Sequence, residues 1–288
     1  MKSRKQGTGV LLPLVSGVST LAALDFARRA FRRSRLFCPD REPARSWNPA
    51  DYGLPAARTA EQWIESPGGE ILHAWHARAE DPIASALYCH GNAGNLTTVA
   101  GMIPHLLAAG IDVLLFDYRG FGRSSGKATV RGVMADALAA ARFHDAIRPK
   151  HLPSLLYGYS LGGAIAVQLL RRHPFDALIL QSTFTSLSDI ARTIFPRAPV
   201  RLLAGRLFDT VREVRRLRLP LFVIHGDCDP TVPGWMARRI YEACSGRKEI
   251  RIVEGGTHRD LYARDGDALE SALRAFAVTL REKAPEVL

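Results

Sequence analysis

The chain has 288 residues, 47 % hydrophobic and 23 % charged, with 39 Lys+Arg against 28 Asp+Glu for a formal charge of +11. That much apolar surface excludes a disordered polymer. Four cysteines (Cys38, Cys89, Cys228, Cys244) without paired spacing exclude a disulfide scaffold and read as reduced apolar fillers.

The charge is uneven. Residues 1–45 carry ten basic and three acidic side chains, and residues 191–220 carry eight Arg against Asp209 and Glu213. Everything else is close to neutral, so two basic segments are attached to an ordinary globular body.

Residues 6–24 are uncharged and lie between Lys2/Arg4/Lys5 and Arg28/Arg29. The apolar run Val10–Leu24 is interrupted by Pro13, Gly17 and three hydroxyl residues, and falls short of the roughly 20 apolar residues that span a bilayer. Residues 1–35 read as a membrane anchor or membrane-associated helix; a cleaved signal peptide and a packed helix are the alternatives. Residues 36–60, with Pro39, Pro43, Pro49 and Pro55, read as an extended arm over the surface.

Residues 61–288 form the third unit. Gln62–Ser66 and Glu70–Ala77 flank Pro67-Gly68-Gly69 as a hairpin. Short apolar runs at 84–89, 111–116, 155–159, 177–181, 219–224 and 249–253 predict buried parallel strands. Helical stretches around 96–109, 129–147, 161–173, 234–244 and 266–283 alternate with them. The alternation predicts an α/β fold with a mostly parallel central sheet and helices on both faces. A short lid insertion is expected at about 183–218.

Gly158-Tyr159-Ser160-Leu161-Gly162 follows an apolar strand and opens a helix. A sharp strand-to-helix turn lifts a serine hydroxyl above the sheet edge, and glycines let the backbone close around it. Ser160 is therefore the candidate nucleophile. A serine hydroxyl needs a base, and the base an orienting acid, in the chain order Ser, acid, His. Past residue 229 the chain has a single histidine, His258, in the loop Gly255-Gly256-Thr257-His258. Asp227 and Asp229 compete for the acid. Asp229 is preferred because it lies further into the loop, whereas Asp227 suits a turn residue that bonds its own backbone. His90-Gly91-Asn92-Ala93-Gly94-Asn95 is a turn that exposes backbone N–H groups, so Asn92 and Leu161 are the expected oxyanion donors. His90 itself reads as structural.

At these residues the chain resembles the α/β-hydrolases, and among them the single-domain serine hydrolases related to eukaryotic protein depalmitoylases, which have many bacterial members. The strings that carry the resemblance are His90–Asn95, Asp117–Gly126, Gly158–Gly163, His225–Asp229 with Val232-Pro233, and Gly256–His258, across about residues 60–283. The resemblance implies Ser160 as nucleophile, Asp229 as acid and His258 as base, with Asp117–Gly126 structural. Relatives commonly begin with a membrane-associated segment and a Pro-rich arm, to which Leu36–Asp40 is similar. The segment 183–218 departs from the larger relatives, which carry a cap domain there.

His73 and His76 stand three apart on a strand, which sends them to opposite faces and argues against a metal site. No P-loop or dinucleotide fingerprint is present, so no cofactor is expected. Asn95-Leu96-Thr97 matches a glycosylation sequon, a pattern frequent by chance. The expected activity is hydrolysis of an ester or thioester through an acyl-Ser160 intermediate. The expected substrate is a small or acylated molecule with a lipid-like acyl group. Residues 1–45 and 191–220 would face an anionic membrane surface, and the protein would be membrane-associated or cytoplasmic. A peptidase or amidase on the same triad is the alternative chemistry. A non-enzymatic basic scaffold for membrane or nucleic acid is the alternative class, with nucleic acid disfavoured.

Overall fold

A computed structural model describes residues 36–197 and 207–281. The expected N-terminal anchor lies outside the described residues, as does the middle of the expected lid. Among the described residues no helix is long and apolar enough to cross a membrane.

The arm begins with β1 (Cys38–Pro39) and contains two 3₁₀ turns, at Pro49–Tyr52, capped by the Asn48 side chain, and at Ala56–Arg58. The hairpin follows as β2 (Thr59–Ser66) and β3 (Glu70–Ala77), paired antiparallel from Thr59 opposite Ala77 to Ser66 opposite Glu70. Next come β4 (Ala84–Cys89) and β5 (Ala93–Gly94). The stretch read as one helix over 96–109 is broken. It divides into α1 (Leu96–Val99), a 3₁₀ turn at Ala100–Met102 and α2 (Ile103–Ala108). Pro104 sits in the first turn of α2, where its missing N–H costs no helical bond, and this is why the helix restarts there.

Strand β6 (Ile111–Phe116) leads to α3 (Val130–Ile147), started by the Thr129 side chain accepting from Gly132 N–H. Strand β7 (Ser154–Tyr159) runs directly into α4 (Leu161–Leu169), and β8 (Ala177–Gln181) into α5 (Leu187–Ile194). The short α6 (Thr210–Val214) precedes β9 (Leu221–Gly226), α7 (Trp235–Ala243), β10 (Lys248–Val253) and α8 (Leu261–Arg281). The last helix begins five residues before its expected start, with non-helical backbone at Asp265.

Eight strands form one sheet in the order β10-β9-β8-β7-β4-β6-β3-β2, parallel apart from the two pairings made by β3. Strands β4, β6, β7, β8 and β9 are buried along their whole length, as strands covered by helices on both faces must be. Two apolar clusters cover the faces. One gathers α3, α4 and α7 around Phe116, Leu156 and Val223; the other gathers α2 and α8 around Tyr88, Tyr157 and Phe222. The carboxyl ends of β4, β7, β9 and β10 come together at one edge, where open α/β sheets bind ligands.

The expected surface arm is tied to that edge. β1 pairs in parallel with β5, with Cys38 N–H donating to Asn92 O at 2.7 Å and Asp40 N–H to Gly94 O at 2.9 Å. Leu36 and Phe37 are buried beside it. The side chain of Asn95, the sequon residue, is also buried and donates to Asp40 O and Glu42 O, so no glycan fits there in the folded chain.

Candidate active site

Ser160 stands between β7 and α4 with φ 54° and ψ −120°, a backbone conformation that L side chains rarely adopt. The turn is forced by close approach. A Cβ on Gly158 would lie 2.4 Å from Gly163 Cα, and one on Gly162 would lie 2.0 Å from Cys89 O. Thr183 Oγ1 donates to Ser160 O at 2.7 Å and fixes the turn from β8. Burial is not complete: Ser160 remains 8 % exposed, with its hydroxyl at the carboxyl edge of the sheet.

His258 arrives from the loop after β10. Its Nε2 lies 3.1 Å from Ser160 Oγ, and its Nδ1 lies 2.7 Å from Asp229 Oδ2. Asp229 comes from the loop after β9, and its Oδ1 accepts from Thr231 N–H at 2.8 Å and Val232 N–H at 2.9 Å. Burial raises the Asp229 pKa, but hydrogen bonds from His258, Val232 and Thr231 outweigh it and hold the carboxyl below its ordinary value. Asp229 is therefore ionised near neutral pH and only accepts. Nδ1 of His258 must carry the proton, leaving Nε2 free to take one from Ser160. Asp227, the competing aspartate, is exposed and does not reach His258.

Tyr159 packs against His258. Its ring lies 5.3 Å from the His258 ring, its hydroxyl donates to His258 O at 3.2 Å, and burial pushes the phenol up to about 12. Asp260 closes the histidine loop by accepting from Thr257 N–H at 2.6 Å.

Asn92 and Leu161, the two expected oxyanion donors, line the same cavity as Ser160. Leu161 is the first residue of α4, so its N–H has no intrahelical acceptor. Asn92 lies on the turn after β4, beside Ser160 in both cavities at the site. That turn is clamped by β1 from outside and by Asp117 from below, whose Oδ1 accepts from Leu96 N–H at 2.6 Å. His90 is buried: its Nδ1 donates to Gly91 O at 2.9 Å and its Nε2 sits 3.3 Å from Asp117 Oδ1. His73 is likewise buried, against Glu61, while His76 is half-buried on the opposite face. Among the described residues no group of three or more His, Cys, Asp or Glu is placed to hold a metal ion.

Two cavities meet at Ser160. One, of about 150 Å³, is walled by Leu36, Phe184, Leu187, Ile190, Ile194 and Phe195. The other, of about 330 Å³, holds His258, Arg259, His105, Thr98 and Tyr262. Sequence reasoning missed the contributions of β1, Tyr159, Thr183 and Arg259. For β1 the available signal was the apolar pair Leu36-Phe37 ahead of Pro39.

Residues 80–212 match the family described as Serine aminopeptidase, S33. An esterase of Pyrococcus furiosus has the same fold, with a TM-score of 0.67 at 19 % identity over 86 % of this chain and 98 % of that one. An uncharacterised protein of Mycobacterium tuberculosis is 32 % identical over 92 % of this chain and 94 % of its own length. The chain belongs to the α/β-hydrolase superfamily of serine hydrolases. This hydrolase is also 33 % identical to a lysophosphatidylserine lipase of Macaca fascicularis, over 66 % of this chain and 52 % of that protein.

Proposed function

We propose that this hydrolase cleaves acyl esters or thioesters through a covalent acyl-Ser160 intermediate, with His258 as base and Asp229 as its orienting acid. The observation that carries the reading is the continuous hydrogen-bonded chain from Asp229 through His258 to a serine with positive φ. Ser160 Oγ attacks the carbonyl carbon while His258 Nε2 takes its proton. The resulting oxyanion is met by the N–H groups of Asn92 and Leu161. The bond to the leaving oxygen or sulfur breaks as His258 returns the proton to it. Water then attacks the acyl-serine by the same route, releasing the acid and restoring Ser160.

The apolar cavity suits the acyl chain, and the lipase relative is a precedent for a lipid acyl group. Ile194 and Phe195 are exposed at its rim, with Arg192 and Arg197 exposed beside them in the chain, and Trp235, Arg238 and Arg239 are exposed on α7. Exposed apolar side chains with arginines next to them in the chain suit contact with an anionic lipid surface. This supports membrane-associated action by the described part of the basic segment 191–220.

The aminopeptidase description of the matched family supports a second reading, amide cleavage next to a free α-amine. The site fits it less well. Neither cavity is lined by a described carboxylate, so a substrate ammonium would have no counter-ion. A panel of p-nitrophenyl esters from two to sixteen carbons, run beside amino-acid p-nitroanilides, separates the readings. Turnover rising with chain length is expected. Anilide cleavage with little ester turnover would overturn the ester reading.

A further inference from the structure

Resting on the acyl-serine reading, the division of the site assigns the two halves of the substrate. A departing alcohol must take its proton from His258. His258 lines the larger cavity and not the apolar one, so the leaving group lies in the larger cavity.

That cavity has a charge of its own. No aspartate or glutamate lines it among the described residues. His105, on its wall, is already met by Glu270 at 2.6 Å. Neighbouring arginines are engaged as well, Arg264 by Asp260 and Arg251 by Asp265. Arg259, directly after the base, has no carboxylate partner among the described residues and is exposed to the cavity. Its side chain shares the cavity wall with the Tyr159 phenol. Thr98, Thr231 and Asn92 add polar groups around the same space. A guanidinium with free donors and no acidic neighbour binds phosphate or carboxylate through paired N–H donors.

We propose that Arg259 is a specificity-determining residue that binds an anionic group on the leaving alcohol, so the preferred substrates are acyl esters of anionic alcohols. The substrate then straddles Ser160, with its chain in the apolar cavity and its anion at Arg259. The hydrolysis itself is unchanged: water adds across the ester bond, and the products are the fatty acid and the anionic alcohol.

Three oleoyl esters test this, with glycerol, glycerate or glycerol phosphate as the leaving group. The wild type is expected to hydrolyse at least one anionic ester with kcat/KM about tenfold to a hundredfold above the glycerol ester, the range for a charge-assisted contact. Comparison of glycerate with glycerol phosphate identifies which anion the site takes. In Arg259→Gln the anionic-to-neutral ratio should collapse towards one, mainly through KM, and Arg259→Lys should recover part of it. A ratio unchanged in Arg259→Gln, or no anionic preference in a wild type labelled at Ser160 by a fluorophosphonate, would overturn the assignment. A folded wild type that is not labelled would overturn the acyl-serine reading beneath it.

Discussion

Two aspartate–histidine pairs stand within this site, built from the same residue types and put to different ends. Asp229 and His258 meet at 2.7 Å on loops, and the His258 side chain keeps 13 % of its surface open. Asp117 and His90 approach only to 3.3 Å and are sealed, at 0 % and 1 % exposure, under the turn that carries Asn92. Tyr118 and Phe121 pack on the His90 ring. In the rim pair the second imidazole nitrogen faces a hydroxyl. In the sealed pair His90 is spent on Gly91 O, and Asp117 on the first N–H of α1. An imidazole beside a carboxylate can act as a base only where its far nitrogen has a proton to take; elsewhere the same pair is a clamp.

The largest expected contrast is in rate. Asp229→Asn and His258→Ala should each lower kcat/KM by about 10³–10⁴-fold with an unchanged far-UV circular dichroism spectrum. His90→Asn should keep far more activity per folded molecule. An equal loss in folded His90→Asn would erase the distinction between the pairs.

In stability the sealed pair should count as much as the rim pair. Asp117→Ala strands the Leu96 N–H and removes the carboxylate beside buried His90, while His73 keeps Glu61, so urea unfolding should register a loss of about 2–4 kcal/mol. Asp229→Ala strands the Thr231 and Val232 N–H groups at an equally buried side chain, so it should lose a comparable amount. If Asp117→Ala unfolds at the same urea concentration as the wild type, the clamp assignment fails.

Acid sharpens the rim pair. The folded Asp229 carboxyl is held below its ordinary value near 3.8, so its contribution to stability is fully present above that pH and is lost as pH falls through the lowered value. The stability deficit of Asp229→Asn at pH 7 should therefore shrink below about pH 4. A deficit that stays constant from pH 7 to pH 3 would contradict the ionised rim carboxylate.

The smallest effect is expected at Tyr159, which steadies His258 through one hydrogen bond at 3.2 Å. Tyr159→Phe should lower kcat by a few-fold, in line with about 0.5–1.5 kcal/mol for a single neutral bond. A loss comparable to that of His258→Ala would give Tyr159 a direct part in the chemistry.

Much of this site is readable along the chain because its parts are local. Strand, glycine, serine and helix lie within a dozen residues, and the acid and base follow at the ends of successive strands. Loop position and the family resemblance both favour Asp229 over Asp227, and in the fold Asp229 Oδ2 lies 2.7 Å from His258 Nδ1. Pairings between distant residues are not readable in the same way. Two residues of β1 align with Ala93-Gly94, more than fifty positions away, and so short a strand leaves no periodic trace. The break at Ala100–Met102 is hidden because the apolar spacing continues across it, although Pro104 marks the restart. Arg259 reads in sequence as one more surface arginine. Only the fold puts it in a cavity without acids, beside the base.

The central claim is that Ser160 is the nucleophile made reactive by the rim pair. Incubation with a fluorophosphonate probe, followed by mass mapping of the adduct, tests it most directly. A single adduct on the peptide containing Ser160 is expected, absent in Ser160→Ala and strongly slowed in His258→Ala. A folded protein that takes no label, or a Ser160→Ala variant labelled as fast as the wild type, would contradict the account.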